Sequence, residues 1–236
     1  MKSAKRYPNR VLVVVAHPDD EVIGCGGAIA RHTARRDLVN VIIMGEGVTS
    51  RSPVSDPLQG KNELRRLFRA TQKAKSILGV QSLSMHRLPD NRMDSVNLLD
   101  IIKIIEEDVH LFRPDIIYTH HAGDLNIDHR LTHEATIIAC RPLPGTTVKR
   151  MLFFETASST EWQPPGVAPV FVPNWYTNIT DTISLKMKAL KAYAMEMRAF
   201  PHPRSLQAIE CLARWRGASV GVRAAEAFML GRNLEQ

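Results

Sequence analysis

The sequence predicts an α/β fold with a mostly parallel sheet flanked by helices, and three observations carry that prediction. Val11–Ala16 and Asn40–Met44 are apolar runs rich in β-branched residues and without polar alternation, as strands buried on both faces require. Between such runs lie stretches with helical apolar spacing, clearest at Leu98, Ile101, Ile102, Ile105 and Val109. Strands and helices then alternate along the chain, which calls for parallel pairing with right-handed crossovers.

Taken in order, Val11–Ala16 gives the first strand. The small residues Gly24, Gly26, Gly27 and Ala28 then suit a helix lying close on a sheet, with Asp19, Asp20 and Glu21 in its first turn, where the dipole favours carboxylates. Asn40–Met44 is the second strand and runs into a loop, Gly45–Asp56. Lys61–Leu78 reads as a long helix stopped by Gly79. Ser82–Leu88 is a short strand turned by Pro89-Asp90-Asn91. The helix Leu98–Phe112 ends before Pro114, and Asp115–Thr119 forms another strand. Beyond Arg141 the alternation loosens, with strands expected at Arg150–Glu155 and Trp175–Ile179 and helices at Ile183–Met197 and Ser205–Trp215. No linker, repeat or low-complexity segment interrupts the chain. Residues 1–236 therefore read as a single domain, with a regular core over about 10–142 and a less regular part over 143–236.

A hydrophobic fraction of 44% with 23% charged residues is that of an ordinary globular protein and excludes a disordered or fibrous chain. The apolar run VLVVVA is too short for a secretory core and ends in HPDDE, and no run is long enough to span a membrane. A cytoplasmic protein is expected. Cys25, Cys140 and Cys211 are widely spaced and odd in number, which excludes a disulfide framework and agrees with a reducing compartment. Cys25, between two glycines, reads as a packing residue. The net charge of +7 invites a nucleic-acid reading, but the Lys61–Lys75 cluster reads as a solvated helix face without interleaved aromatics. No nucleic-acid partner is expected. An anionic small substrate accounts for the excess equally well, with Arg51, Lys61, Arg65 and Arg69 on segments near strand ends.

In open α/β sheets, sites form beyond the carboxyl ends of the strands. Three polar stretches fall there: HPDDE, LPDN and HHAGDLNIDHRLTH. His17 and Asp20 are three apart across a turn entering a helix, so an imidazole and a carboxylate can point at one spot, both being ordinary ligands for zinc or ferrous iron. His129 supplies a third ligand. Three protein ligands leave a position open, which marks a catalytic rather than a structural metal site. Adjacent residues diverge, so Asp19 does not share the position of Asp20 and is placed instead as general base. Asp128 is a candidate partner that orients an imidazole. His133 stands one turn after His129, an H-x-x-x-H spacing that makes it a rival ligand, or else a proton donor.

AHPDDE (16–21) after a buried strand, paired with GDLNIDH (123–129), resembles the PIG-L/LmbE-like family of N-acetylglucosaminyl deacetylases. The resemblance is firm to about Pro142 and looser through STEW (159–162). It implies a Rossmann-like fold, a bound zinc ion (with Fe2+ as the alternative) and hydrolysis of N-acetyl groups on amino sugars and their conjugates. It also implies self-association into homo-oligomers. By position it implies His17, Asp20 and His129 as metal ligands, in preference to His133, and Asp19 as base. One departure stands out. Several members carry a histidine three residues before the last ligand, as oxyanion donor and acid, whereas this chain has Asn126, whose amide can donate to an oxyanion but not protonate a leaving group. His133, or His120 and His121, are the candidates for that proton.

For the substrate, Asp90 matches a region that contacts sugar hydroxyls, and turn capping beside Pro89 accounts for it equally well. Arg69 resembles a helix arginine of the family, with Arg65 or Arg66 as alternatives in register. Trp162, His202 and Arg204 are further candidates from the second half. The expected substrate is a small N-acetylated sugar or conjugate, with a nucleotide-linked form suggested by the charge. The competing readings are a metal phosphohydrolase, which needs more bridging carboxylates, and a catalytically silent sugar-binding module, which would not need Asp19.

Overall fold

The structure is a computed structural model that describes residues 7–48 and 57–235. Arg51 lies outside the described residues. In chain order the elements are β1 (Arg10–Val15), α1 (Asp20–Ala34), β2 (Leu38–Gly45), α2 (Pro57–Leu78), β3 (Ser82–Leu88), α3 (Leu98–Phe112), β4 (Ile116–His120) and α4 (Ile127–Ala139). Then follow β5 (Arg150–Phe154), β6 (Trp175–Asn178), α5 (Ile183–Ala192), α6 (Leu206–Ala218) and β7 (Ala225–Asn233). Short 3-10 turns occur at Met93–Ser95 and Thr160–Trp162.

All seven strands form one sheet in the order β3-β2-β1-β4-β5-β7-β6. The first five pair in parallel, and β7 runs antiparallel to both β5 and β6. The strand side chains divide between two faces. Val11, Val13 and Val15 pack with Ile29, Leu67 and Leu190 on one, and Leu12 and Val14 pack with Ile101, Ile105 and Ala135 on the other. Helices α1, α2 and α5 thus cover one face and α3 and α4 the other. That double coverage is why β1 is apolar at every position rather than alternating. Among the described residues no helix is long and apolar enough to cross a membrane.

The second half brings one correction and one further strand. The helix expected over 183–197 ends at Ala192, because Tyr193 turns inward, fully buried, and its hydroxyl donates to Glu21 Oε1 at 2.7 Å. The following residues to Ser205 run as turns instead of helix. The strand β7 was not anticipated, since Glu226 interrupts its apolar run. That glutamate is buried, and it accepts the Gly27 and Ala28 backbone N–H groups at 2.8 and 2.7 Å and the Lys186 ammonium at 2.6 Å. The ammonium also donates to Ile23 O at 2.8 Å. These bonds tie α1, α5 and β7 together behind the sheet. Lys186→Met should therefore lower the unfolding free energy by roughly 3–5 kcal/mol, the cost of stranding a buried charge. Adding Glu226→Gln should recover part of that loss in urea titrations. A single-variant cost below about 1 kcal/mol would show that the pair contributes little.

Candidate active site

The site opens where the order of the sheet reverses, between β1 and β4, a place where neighbouring crossovers leave a crevice at the strand ends. Ala16–Asp19 leaves β1 and enters α1, and residues 121–126 leave β4 and enter α4. The Asn126 side chain caps α4 by accepting the Asp128 N–H at 2.8 Å. This cap aims the first turn of α4, with Asp128 and His129, at the end of β1.

His17, Asp20 and His129 meet there. His17 Nδ1 lies 3.3 Å from His129 Nε2 and 3.4 Å from Asp20 Oδ2, and His129 Nε2 lies 3.3 Å from the same oxygen. The outer ring nitrogens face carboxylates. His17 Nε2 is 3.0 Å from Asp128 Oδ2, and His129 Nδ1 is 3.0 Å from Asp124 Oδ1, a close ionic approach that falls short of an aligned hydrogen bond. Protons placed on those outer nitrogens leave both inner lone pairs pointing at Asp20. Asp128 is itself fixed, since its two oxygens accept the Asn91 and Met93 backbone N–H groups at 2.6 and 3.0 Å. Asp124 is fixed by hydroxyls of Ser159 and Thr160.

This donor set suits a divalent metal ion. Two imidazoles and a carboxylate, each with one atom within 4.8 Å of the others, are borderline ligands of the kind zinc or ferrous iron takes. Among the described residues Asp20 Oδ1 is buried with no hydrogen-bond partner, an orphan that a cation would satisfy. Burial opposes a charge on His17, yet hydrogen bonds to Asp128 and Asp20 push it up to about 10; burial opposes His129 likewise, and Asp20 and Asp124 push it up to about 9. The surrounding carboxylates thus create a field that favours positive charge at this point.

Asp19 takes a left-handed conformation, φ 108°, which costs a non-glycine residue on the order of 1–3 kcal/mol. Its carbonyl accepts the Val22 and Ile23 N–H groups, and its own N–H donates to Glu21 Oε2 at 3.0 Å. The strain is therefore held by the first turn of α1. Burial pushes the Asp19 carboxyl up to about 8 against the pull of Arg204, whose Nη1 donates to Asp19 Oδ2 at 3.2 Å. Asp19 lines a cleft of about 390 Å³ with His17, Asp90, Asn91, Asn126, Glu196 and Arg204 among its other walls.

The remaining candidates are distributed unevenly. Asp90 is buried in the cleft wall, its Oδ1 3.3 Å from His17 Nε2. Asn126 lines the cleft, with its Nδ2 donating to Asn91 Oδ1 at 2.8 Å. His133 does not reach the cluster. Its Nδ1 is 2.8 Å from His120 O and its ring packs edge-on against Phe153, so it is placed neither to bind the metal nor to protonate a group in the cleft. His120 is buried behind His129, stacked on it at 4.0 Å, and its Nε2 accepts the Ala16 N–H. His121 turns to Pro169 O at 2.8 Å. Trp162 packs edge-on against His202, and neither ring lines the cleft. Arg69 is exposed on α2, beside a separate groove that it lines with Glu46, Arg65, Phe68 and Arg87. Asp124 and Glu196 went unassigned in the sequence. The D-x-x-x-D-H spacing contains Asp124, whereas Glu196 carries no local signal.

A family model described as "PIG-L: GlcNAc-PI de-N-acetylase" matches residues 12–140, more than half of the chain. The chain is similar to a Bacillus anthracis protein described as "Probable N-acetyl-alpha-D-glucosaminyl L-malate deacetylase 2", at 24% identity over 79% of this chain and 80% of that one. Among solved structures it resembles the N,N'-diacetylchitobiose deacetylase of Pyrococcus horikoshii, with a TM-score of 0.71 and 20% identity over 94% of this chain and 83% of that one. It also resembles GalB, the 4-carboxy-2-hydroxymuconate hydratase of Pseudomonas putida KT2440, with a TM-score of 0.72 and 19% identity over 96% and 97%. These structural likenesses establish the fold, which carries more than one reaction. The match over 12–140 spans both stretches that build the His17, Asp20 and His129 cluster, and by it the chain belongs to the PIG-L family.

Proposed function

We propose that the protein is a metal-dependent hydrolase that removes the N-acetyl group from an N-acetylated amino sugar or a conjugate of one. The observation that carries this reading is the convergence of His17, Asp20 and His129 on one point, with Asp20 Oδ1 unpartnered and Asp19 beside it in an open cleft. Family membership and the deacetylase relative support the same reaction class. Zinc, or ferrous iron in its place, would supply Lewis acidity toward the amide carbonyl and toward water. Asp19 accepts the proton of the attacking water, and its held backbone keeps the carboxylate facing the cleft. Asp90 and Asn126, which line the same cleft, offer a carboxylate and an amide to sugar hydroxyls and to the acetyl oxygen. Acetate release from N-acetylhexosamines and their conjugates tests the reading. No release from any of them by metal-loaded protein would sink it.

One observation favours a two-metal phosphohydrolase. His17, Asp90 and Asp128 also have donor atoms within 4.8 Å of one another. Both Asp128 oxygens already accept backbone N–H groups, however, which leaves that carboxylate poorly suited to bridge ions. A metal content near two per chain, with phosphate release, would decide for it.

A nucleotide-linked substrate is the finer part of the proposal. Arg65, Arg69 and Arg87 line the groove with Glu46, whose neighbour Gly47 lines the cleft, so an anionic group attached to the sugar has guanidinium forks within the same surface. A nucleoside-diphosphate N-acetyl sugar should be hydrolysed with a kcat/KM higher than the free sugar by roughly tenfold or more, the worth of one hydrogen bond to a charged group. Added salt should erode the preference by screening. Equal efficiency at all salt concentrations would separate the basic surface from substrate choice. Self-association belongs to the same proposal and is read by sedimentation velocity.

A further inference from the structure

Arg204 lies outside the span matched by the family model, in the turns between α5 and α6. Its guanidinium is anchored from both ends. On the main-chain side, its N–H donates to His202 Nδ1 at 3.0 Å, and the next residue, Ser205, caps α6 by accepting the Ala208 N–H at 3.0 Å. On the side-chain side, Nε donates to Ser158 Oγ at 3.0 Å while Nη1 donates to Asp19 Oδ2 at 3.2 Å. A guanidinium serving only to balance charge would not need its Nε–H fixed by a serine.

We propose that Arg204 is a positioning residue for Asp19. It engages Oδ2, so that proton acceptance falls to the other oxygen, Oδ1. The inference rests on the reading of Asp19 as the base. Asp19 is strained at the entrance of α1, where its main chain is held, and among the described residues its carboxylate takes its side-chain hydrogen bond from Arg204. Arginine suits this task because its fork sets the direction of the carboxylate as well as its charge. Ser158 sets the fork in turn. With Glu196 in the cleft wall and Ser159 and Thr160 on Asp124, Arg204 is one of several residues beyond the matched span that act on the site.

The test uses the metal-loaded full chain and four variants, Arg204→Met, Arg204→Lys, Ser158→Ala and Asp19→Asn, with the Asp19→Asn/Arg204→Met double variant. Metal content and melting temperature are measured first, so that loss of fold or metal is seen separately. Arg204→Met should keep the metal and lower kcat by about 10²-fold, the scale of a misplaced reacting group. KM should stay within about threefold, since the defect lies in the chemical step. Arg204→Lys should recover part of kcat, and Ser158→Ala should lose only a few-fold on the same scale. The double variant should be no slower than Asp19→Asn alone, because both changes act through one carboxylate. Unchanged kcat in Arg204→Met, a loss confined to KM, or losses that multiply in the double variant would each overturn the inference and leave the deacetylase reading standing. An Asp19→Asn protein as active as the unaltered one would overturn both the inference and the role of Asp19 as base, and leave the deacetylase reading standing. If Arg204→Met fails to fold, the Arg204→Lys and Ser158→Ala pair decides, with wild-type kcat in both overturning the inference.

Discussion

His17→Ala should strip the bound metal and reduce acetate release to background. The unaltered protein should carry about one divalent ion per chain, as a three-ligand site with an open position does. His17 does more than offer one donor atom to that site. Its Nδ1 faces Asp20 and His129, and its Nε2 is the contact through which Asp128 sets the plane of the ring. Alanine removes the ligand and leaves Asp20, Asp90 and Asp128 facing one another with less positive charge between them. The check is metal analysis beside acetate release, with melting temperature as control. Metal bound only to the native state raises stability with its concentration, so the unaltered protein should melt higher with zinc and His17→Ala should not. Chelation should abolish turnover and added metal restore it. Full activity in a preparation verified as metal-free would end the metal-dependent mechanism.

Asp19→Asn should keep the metal and lose turnover by about 10²–10⁴, the usual contribution of a positioned general base. Asparagine has the same shape and tolerates the left-handed backbone at this position, so neither the entrance to α1 nor the ligand set is disturbed. Substrate affinity should change little, because the amide still fills the cleft wall. Steady-state kinetics and metal content together make the check. If the variant instead lost its metal, Asp19 and Asp20 would have exchanged roles.

How much of this was legible follows physical lines. β1, β2 and α3 announce themselves because a strand or helix covered by neighbours needs apolar residues at fixed periods, and Leu98–Phe112 shows that period without interruption. β7 hides because its buried Glu226 reads as a surface residue until Lys186 and two backbone N–H groups are seen around it. The residues now found in the cluster were adjacent to strand ends, which the alternation had already located. Their partners were less accessible. Asp128 and His129 are neighbours in sequence, but successive residues on a helix point about 100° apart, so Asp128 turns to His17 while His129 takes Asp124. Arg204 and Glu196 meet Asp19 across more than 170 residues, and no local spacing encodes such a meeting.

The place of β7 has a kinetic consequence. It follows β6 in the sequence and yet lies inside the sheet, between β5 and β6. Until it is synthesised and docked, β6 has no neighbour and β5 presents a row of unpaired amides and carbonyls along one side, the kind of margin on which chains join one another. The Glu226 contacts to Gly27 and Ala28 close loops spanning 199 and 198 residues, so the helix that carries Asp20 is tied down by contacts of long sequence separation. A growing chain can build β1 to β5 early, but α1 gains its Glu226 anchor only once the residues through β7 have emerged.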